Sequence, residues 1–203
     1  MKRPIFVILF ILVNHLTHGQ NLFFKTGLNY TSYNFEDQNG KKLQGLIPGV
    51  GSSFQLGAGI PLVESVVEYE IGLTLDSFDA SGGGSMDNFN WNTTYGGIRN
   101  SIEFYPIWGD LTLGIQANLG TSKIINGSQD LNNSKFDISK HPEFNGILVQ
   151  PGLGLTMLYQ VFDQGLLSFQ YDYSRSITLG EKTVETLSFR NSRILFGIHY
   201  QLY

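Results

Sequence analysis

Apolar and polar residues alternate through most of this chain. From Val67 to Asp76, the residues Val67, Tyr69, Ile71, Leu73 and Leu75 share one face of an extended segment. Glu68, Glu70, Gly72, Thr74 and Asp76 share the other. Leu111, Leu113, Ile115, Ala117 and Leu119 repeat the pattern, opposed by Thr112, Gly114, Gln116, Asn118 and Gly120. Phe54, Leu56, Ala58, Ile60 and Leu62 form a third apolar face. A fourth contains Val149, Pro151, Leu153, Leu155, Met157, Tyr159 and Val161, and a fifth Leu167, Phe169, Tyr171 and Tyr173. With the aromatic-rich run from Asn21 to Phe35, the run from Thr94 to Ile107 and the terminal run, these segments predict eight strands.

Connections between the runs alternate in length. Long ones fall at 36–48, 79–92, 123–145 and 180–186, short ones at 61–65, 107–110 and 163–165. Tight turns at one end and long loops at the other are the layout of a small membrane-spanning barrel. The predicted fold is all-β, an eight-stranded antiparallel up-and-down transmembrane β-barrel. In it the apolar faces meet lipid and the polar faces line the lumen. A soluble lipocalin-like carrier would reverse the faces, and alternation alone does not separate the two. Two places fit less well. Asn100 falls on the lipid side of its strand, and Leu187 and Phe189 are out of phase with Ile194, Phe196 and Ile198, which predicts a bulge near Asn191. Two aromatic belts are expected, one from Phe23, Phe24, Tyr105, Trp108, Phe162, Tyr200 and Tyr203. The other gathers Tyr30, Tyr33, Phe35, Phe78, Trp91, Tyr95 and Tyr173.

The N-terminus supplies the compartment. Met1-Lys2-Arg3 precedes an apolar run from Ile5 to Val13, and Thr17 and Gly19 are small. This predicts an export signal over residues 1–19 and one barrel domain over 20–203, because the run is too short to span a bilayer as a helix. There is no cysteine, so neither a disulfide nor an N-terminal lipid-bearing Cys is available. Without Lys2 and Arg3, the 13 basic residues fall to 11 against 17 acidic ones, an unfavourable balance for a nucleic-acid partner.

The C-terminal strand ends Gly197, Ile198, His199, Tyr200, Gln201, Leu202, Tyr203. Gly197, Tyr200 and Leu202, with Tyr203 as an extra aromatic, resemble the terminal signal read by the barrel-assembly machinery. Leu195 stands where that signal usually has a polar residue. Over the whole mature length the chain resembles small eight-stranded outer-membrane barrels, most of all the outer-membrane β-barrel-domain proteins of Bacteroidetes. These include relatives of the PorT component of type IX secretion. The likeness rests on the pattern, on Gly19-Gln20-Asn21 and on Arg99-Asn-Ser-Ile-Glu-Phe-Tyr-Pro. It also extends to the OmpX-like architecture. It implies a bacterial outer-membrane location with both termini periplasmic, outer-membrane lipid and lipopolysaccharide as neighbours, and no catalytic residues.

An eight-stranded lumen is just wide enough to be filled by side chains. Glu68, Glu70, Asp76, Arg99, Glu103, Asp172 and Arg193, together with Lys25, therefore read as a buried charge network in which Arg99 and Arg193 partner the glutamates. After removal of the signal only His141 and His199 remain as histidines, with no metal-ligand spacing, so no metal or cofactor is expected. Glu68/Glu70 as an acid–base pair, and Ser139 beside His141 as a lipid-modifying site, lack supporting motifs. The expected function is non-enzymatic. It would be carried by the surface loops in envelope structure or interaction, with the 123–145 loop and exposed Phe89 and Trp91 as contacts for a protein partner. The alternative is a component of a secretion or envelope-assembly machine.

Overall fold

The computed structural model describes residues 20–36, 46–83, 88–107, 109–131, 134–141, 144–179 and 186–202. The expected export segment, residues 1–19, lies outside them, as do Trp108, Tyr203 and the side chains of Phe35 and Phe89. The strands are β1 (Asn21–Glu36), β2 (Ile47–Val63), β3 (Val67–Gly83), β4 (Asn88–Ile107), β5 (Leu111–Leu131), β6 (Ser134–Asp137), β7 (Ile147–Phe162), β8 (Gly165–Leu179) and β9 (Thr186–Gln201). All pairings are antiparallel. The order β4-β3-β2-β1-β9-β8-β7-β5 closes on itself through β4–β5, giving a barrel of eight staves. The short β6 is not a stave and pairs only with the far end of β5.

The eight-stave barrel is the fold the alternation predicts, but its staves are longer than the apolar runs. The expected 79–92 connection is mostly strand, because β3 runs to Gly83 and β4 starts at Asn88. Likewise β5 continues to Leu131, well into the expected 123–145 loop. Polar composition made these segments read as loops. In the barrel they are strands that continue past the exposed apolar band with polar residues on their outer face.

Partner residues followed around the barrel run Thr31, Asn191, Ser174, Gly152, Asn118, Ser101, Glu70, Gly59 and Asn21. The path returns to β1 ten residues from its start, so the staves are tilted and the stagger is fixed. Because of the tilt, one horizontal level crosses each stave at a different register position. The change from apolar to polar outward residues follows such a level. It falls after Tyr30 on β1, after Leu75 on β3, after Leu119 on β5 and between Ile194 and Ser192 on β9.

On the apolar side of that level the outer face is greasy: Leu28, Leu56, Leu73, Leu153 and Phe196 are all exposed. Closed pairing leaves no edge to be satisfied by water, as a lipid setting demands. Asn100, on this face, is accommodated by accepting a hydrogen bond from the Tyr69 hydroxyl at 2.5 Å. Beyond the level the faces exchange character. On β9, Leu187, Phe189, Asn191, Arg193, Leu195, Gly197 and His199 all point inward in one unbroken phase. The β1–β9 register runs without a shift from Asn21↔Gln201 to Glu36↔Thr186. The expected bulge near Asn191 is therefore not present; the residues change character along the strand while its phase does not.

Closure depends on close backbone approach where β1 meets β9. Gly27 faces Leu195 there, and a Cβ at that position would overlap the Ile194 carbonyl oxygen. Backbone cannot yield as a flexible side chain can. Gly27→Val is expected to prevent closure, read as loss of the heat-modifiable, fast-migrating species in mild-detergent electrophoresis. An unchanged fast band would refute it.

Candidate functional site: a filled and capped lumen

Alternation sends every second residue inward, and in the half of the barrel with the apolar outer face most of these are polar. The lumen is built in layers. Nearest the short turns, the Asn21 amide donates to Glu68 Oε1 at 2.6 Å. Above it Lys25 Nζ lies 2.6 Å from Glu70 Oε2 and 3.8 Å from Glu103 Oε1, and donates to Gln170 at 2.9 Å. The same ammonium sits 4.6 Å from the centre of the Phe23 ring. The Tyr105 hydroxyl donates to Glu103, and His199 Nδ1 is 3.8 Å from Glu70.

The next layer is a square of two arginines and two aspartates. Arg99 and Arg193 approach Asp76 Oδ2 at 3.3 and 3.5 Å. They approach Asp172 Oδ2 at 3.9 and 3.6 Å. Ser53 donates to Asp76, and Gln116 and Gln170 donate to Asp172. The partner choice differs from the sequence expectation: the arginines take aspartates, and Lys25 takes the glutamates. Register explains the difference. It sets Asp172 directly opposite Arg193, and sets Glu68 opposite Glu103 one level nearer the short turns, within reach of Lys25's layer. Among the described lumen residues, five carboxylates thus face three basic side chains at under a tenth exposure for all but Glu68. Such groups are tolerated only when mutually paired and hydrogen-bonded.

A layer that the alternation did not announce covers the polar ones. Tyr33, Phe78, Trp91, Tyr95, Phe144, Phe189, Ile138, Leu148 and Leu187 form one buried apolar cluster inside the outer half of the barrel. Phe78 and Phe189 ring centres are 4.7 Å apart, Tyr33 and Phe189 5.0 Å, and Trp91 and Phe144 5.4 Å edge-on. The Tyr33 hydroxyl donates to the Phe78 carbonyl at 3.0 Å. Tyr33, Phe78 and Trp91 from the outer belt and Phe23 from the other therefore face inward, as do Tyr95 and Tyr105, which strand parity with Arg99 and Glu103 already sends into the lumen. Tyr30, Tyr173, Phe24, Phe162 and Tyr200 do face outward. Trp91 is only 7% exposed, so it is not the surface anchor the sequence suggested.

Part of the 123–145 segment also turns inward. Ile138 and Phe144 enter the cluster, and the Tyr95 hydroxyl donates to the Phe144 carbonyl at 3.4 Å. The turn is held by Asp137, which accepts from the Ser139 amide at 2.9 Å and hydroxyl at 2.6 Å. Those bonds favour the ionised form and hold the Asp137 carboxyl below its usual range. His141 accepts at its carbonyl from the Phe144 and Asn145 amides. Ser139 thus spends its hydroxyl on Asp137, and His199 is buried in the lumen beside Phe23, at a ring separation of 5.5 Å. No group of three or more His, Asp or Glu side chains positioned for a metal occurs among the described residues. Gly197 packs against the Lys25 stem and Tyr200 and Leu202 face outward at the short-turn end, while Tyr203 lies outside the described residues.

Two outcomes follow. Lys25→Met leaves Glu70 and Glu103 buried without their cation and is expected to destabilise the barrel by about 3–5 kcal/mol in denaturant titration in micelles. The double variant Lys25→Met/Glu70→Gln should regain part of that loss, and no loss in the single variant would overturn the layer. With Trp108 replaced by Phe, Trp91 is the remaining one of the chain's two tryptophans. Its emission should be blue-shifted and resist iodide quenching; a red, fully quenchable emission would place it outside.

No protein-family model matches the chain, and no curated protein matches it. Solved structures do. The neisserial surface protein NspA is 13% identical with a TM-score of 0.50, over 88% of this chain and 96% of that one. The outer membrane protein OprG of Pseudomonas aeruginosa is 9% identical with a TM-score of 0.51, over 90% and 96%. At these identities the likeness is one of fold. The fold, a closed eight-stranded antiparallel barrel, is that of outer-membrane barrel proteins.

Proposed function

We propose that this chain is a non-enzymatic outer-membrane protein, a sealed barrel that presents its water-exposed strands and loops for envelope structure or interaction. One observation carries the reading: the barrel is greasy outside and ion-paired inside over the same stretch of staves, and aromatic above it. Lipid is the solvent that satisfies the first condition, and a closed lumen the arrangement that satisfies the second. The N-terminal signal pattern and the terminal Gly197-to-Tyr203 segment support export and assembly with both termini in the periplasm, and lipopolysaccharide and the assembly machinery as contacts.

The segment that carries the PorT-like resemblance supplies lumen wall. Arg99, Glu103 and Tyr105 point inward from it and are buried. That placement favours a scaffold role for those residues over a docking role in a secretion machine. In the lumen His199 and Glu70 are each only 1% exposed, a burial that favours a structural role for them.

The protein should stay with membranes through a carbonate wash and show no sustained openings in planar-bilayer recordings. Release by carbonate would refute the membrane reading, and long-lived ohmic openings would refute the sealed lumen.

A further inference from the structure

Arg175 on β8 and Arg190 on β9 are directly opposed in the register, both exposed on the outer surface. Like charges directly across a strand pair oppose one another. Neither guanidinium has an ion-pair partner among the described residues, in contrast to Arg99 and Arg193, which share two aspartates. The pair borders a surface cavity of about 380 Å³ lined also by Ser32, Asn34 and Ser188, which add hydroxyl and amide donors; no described carboxylate lines it.

The level of the pair is informative. On β8, Leu167, Phe169, Tyr171 and Tyr173 are exposed up to Arg175, and Ile177 beyond it is exposed and apolar again. On β9, the greasy face ends at Ile194, followed by Ser192 and then Arg190. On β1 it ends at Tyr30, followed by Ser32, the cross-strand neighbour of Arg190. On β9 and β1 the pair thus lies just past the last apolar outward residue, on the side away from the short turns, while on β8 Arg175 interrupts an apolar face that resumes with Ile177 and Leu179. A bilayer places its headgroups at that height.

We propose that Arg175 and Arg190 form a binding site for the phosphate of a phosphorylated glycolipid in the outer leaflet, with Ser32, Ser188 and Asn34 as further donors. Paired guanidinium forks match phosphate oxygens in geometry and charge. The greasy β8 and β9 faces below receive the acyl chains of the same molecule. Such an occupant explains both the repulsive pair and its height. The proposal rests on the outer-membrane reading and adds a particular ligand to it.

The test uses the whole protein folded in neutral-detergent micelles and titrated with lipid A bearing its phosphates, with the same lipid dephosphorylated, and with inorganic phosphate. Phosphorylated lipid A should bind at least about tenfold more tightly than the dephosphorylated form. Arg175→Ala/Arg190→Ala should remove that preference, and Arg175→Lys/Arg190→Lys should retain part of it. Heat-modifiable migration, read on every variant, reports the barrel separately. Equal binding of both lipids, or an unaffected double alanine variant with an intact barrel, would overturn the site. Full competition by inorganic phosphate at the lipid's own concentration would overturn the lipid as its occupant. A wild-type protein without heat-modifiable migration would instead defeat the barrel reading itself.

Discussion

Closure between β1 and β9 is the constraint on which the other features depend. Once the sheet closes with eight staves and a ten-residue stagger, the lumen has one width, and half of all stave residues must fill it. There is no edge to hide and no second sheet to pack against. The interior has to be filled by these side chains, because an empty lumen would leave their polar atoms unpaired. Glycines on the inner face, such as Gly120 beside Gln150 and Gly154 beside Gln116 and Asp172, give the long polar side chains their room.

Charge inside follows from that width. Lys25 holds Glu70 and Glu103 together, and the Arg99–Arg193–Asp76–Asp172 square ties β3, β4, β8 and β9 across the lumen. Buried ion pairs gain little over apolar packing in net stability. Here an apolar lumen would give the chain two greasy faces and no preference for which one meets lipid. Fixing the inside-outside sense of the barrel is the more consistent role for these charges. Above the lipid level the requirement lapses, and Phe78, Tyr95, Trp91 and Phe189 replace the ions with an ordinary aromatic core.

The exchange of faces along a single strand is where sequence reading and structure part. In β9 the inward phase runs from Leu187 to His199 without interruption, yet its aromatic-cluster members Leu187 and Phe189 lie at one end and Arg193 and His199, with Leu195 between them, toward the other. A rule that assigns the apolar face to lipid works for Ile194, Phe196 and Ile198 and fails for Leu187 and Phe189. It fails because it assumes one solvent along the whole strand. The same assumption placed Trp91, Tyr33 and Phe78 in an outer belt and made polar strand ends look like loops.

The sequence by itself determined the class of fold, because period-two alternation over eight runs has few solutions and the face assignment holds wherever lipid is the outer solvent. It determined which ionisable residues face the lumen there, since that depends only on strand parity: Lys25, Glu70, Asp76, Arg99, Glu103, Asp172 and Arg193 are all inward. Tertiary structure alone decided who pairs with whom, because partners sit on different staves, 23 residues apart for Asp76 and Arg99 and 45 for Lys25 and Glu70, and meet only at a given tilt and stagger. It alone decided that Ile138 and Phe144 fold back to cap the barrel, and that Arg175 and Arg190 stand side by side on its outer face. Those juxtapositions depend on register across strands, a quantity that no pattern along one strand contains.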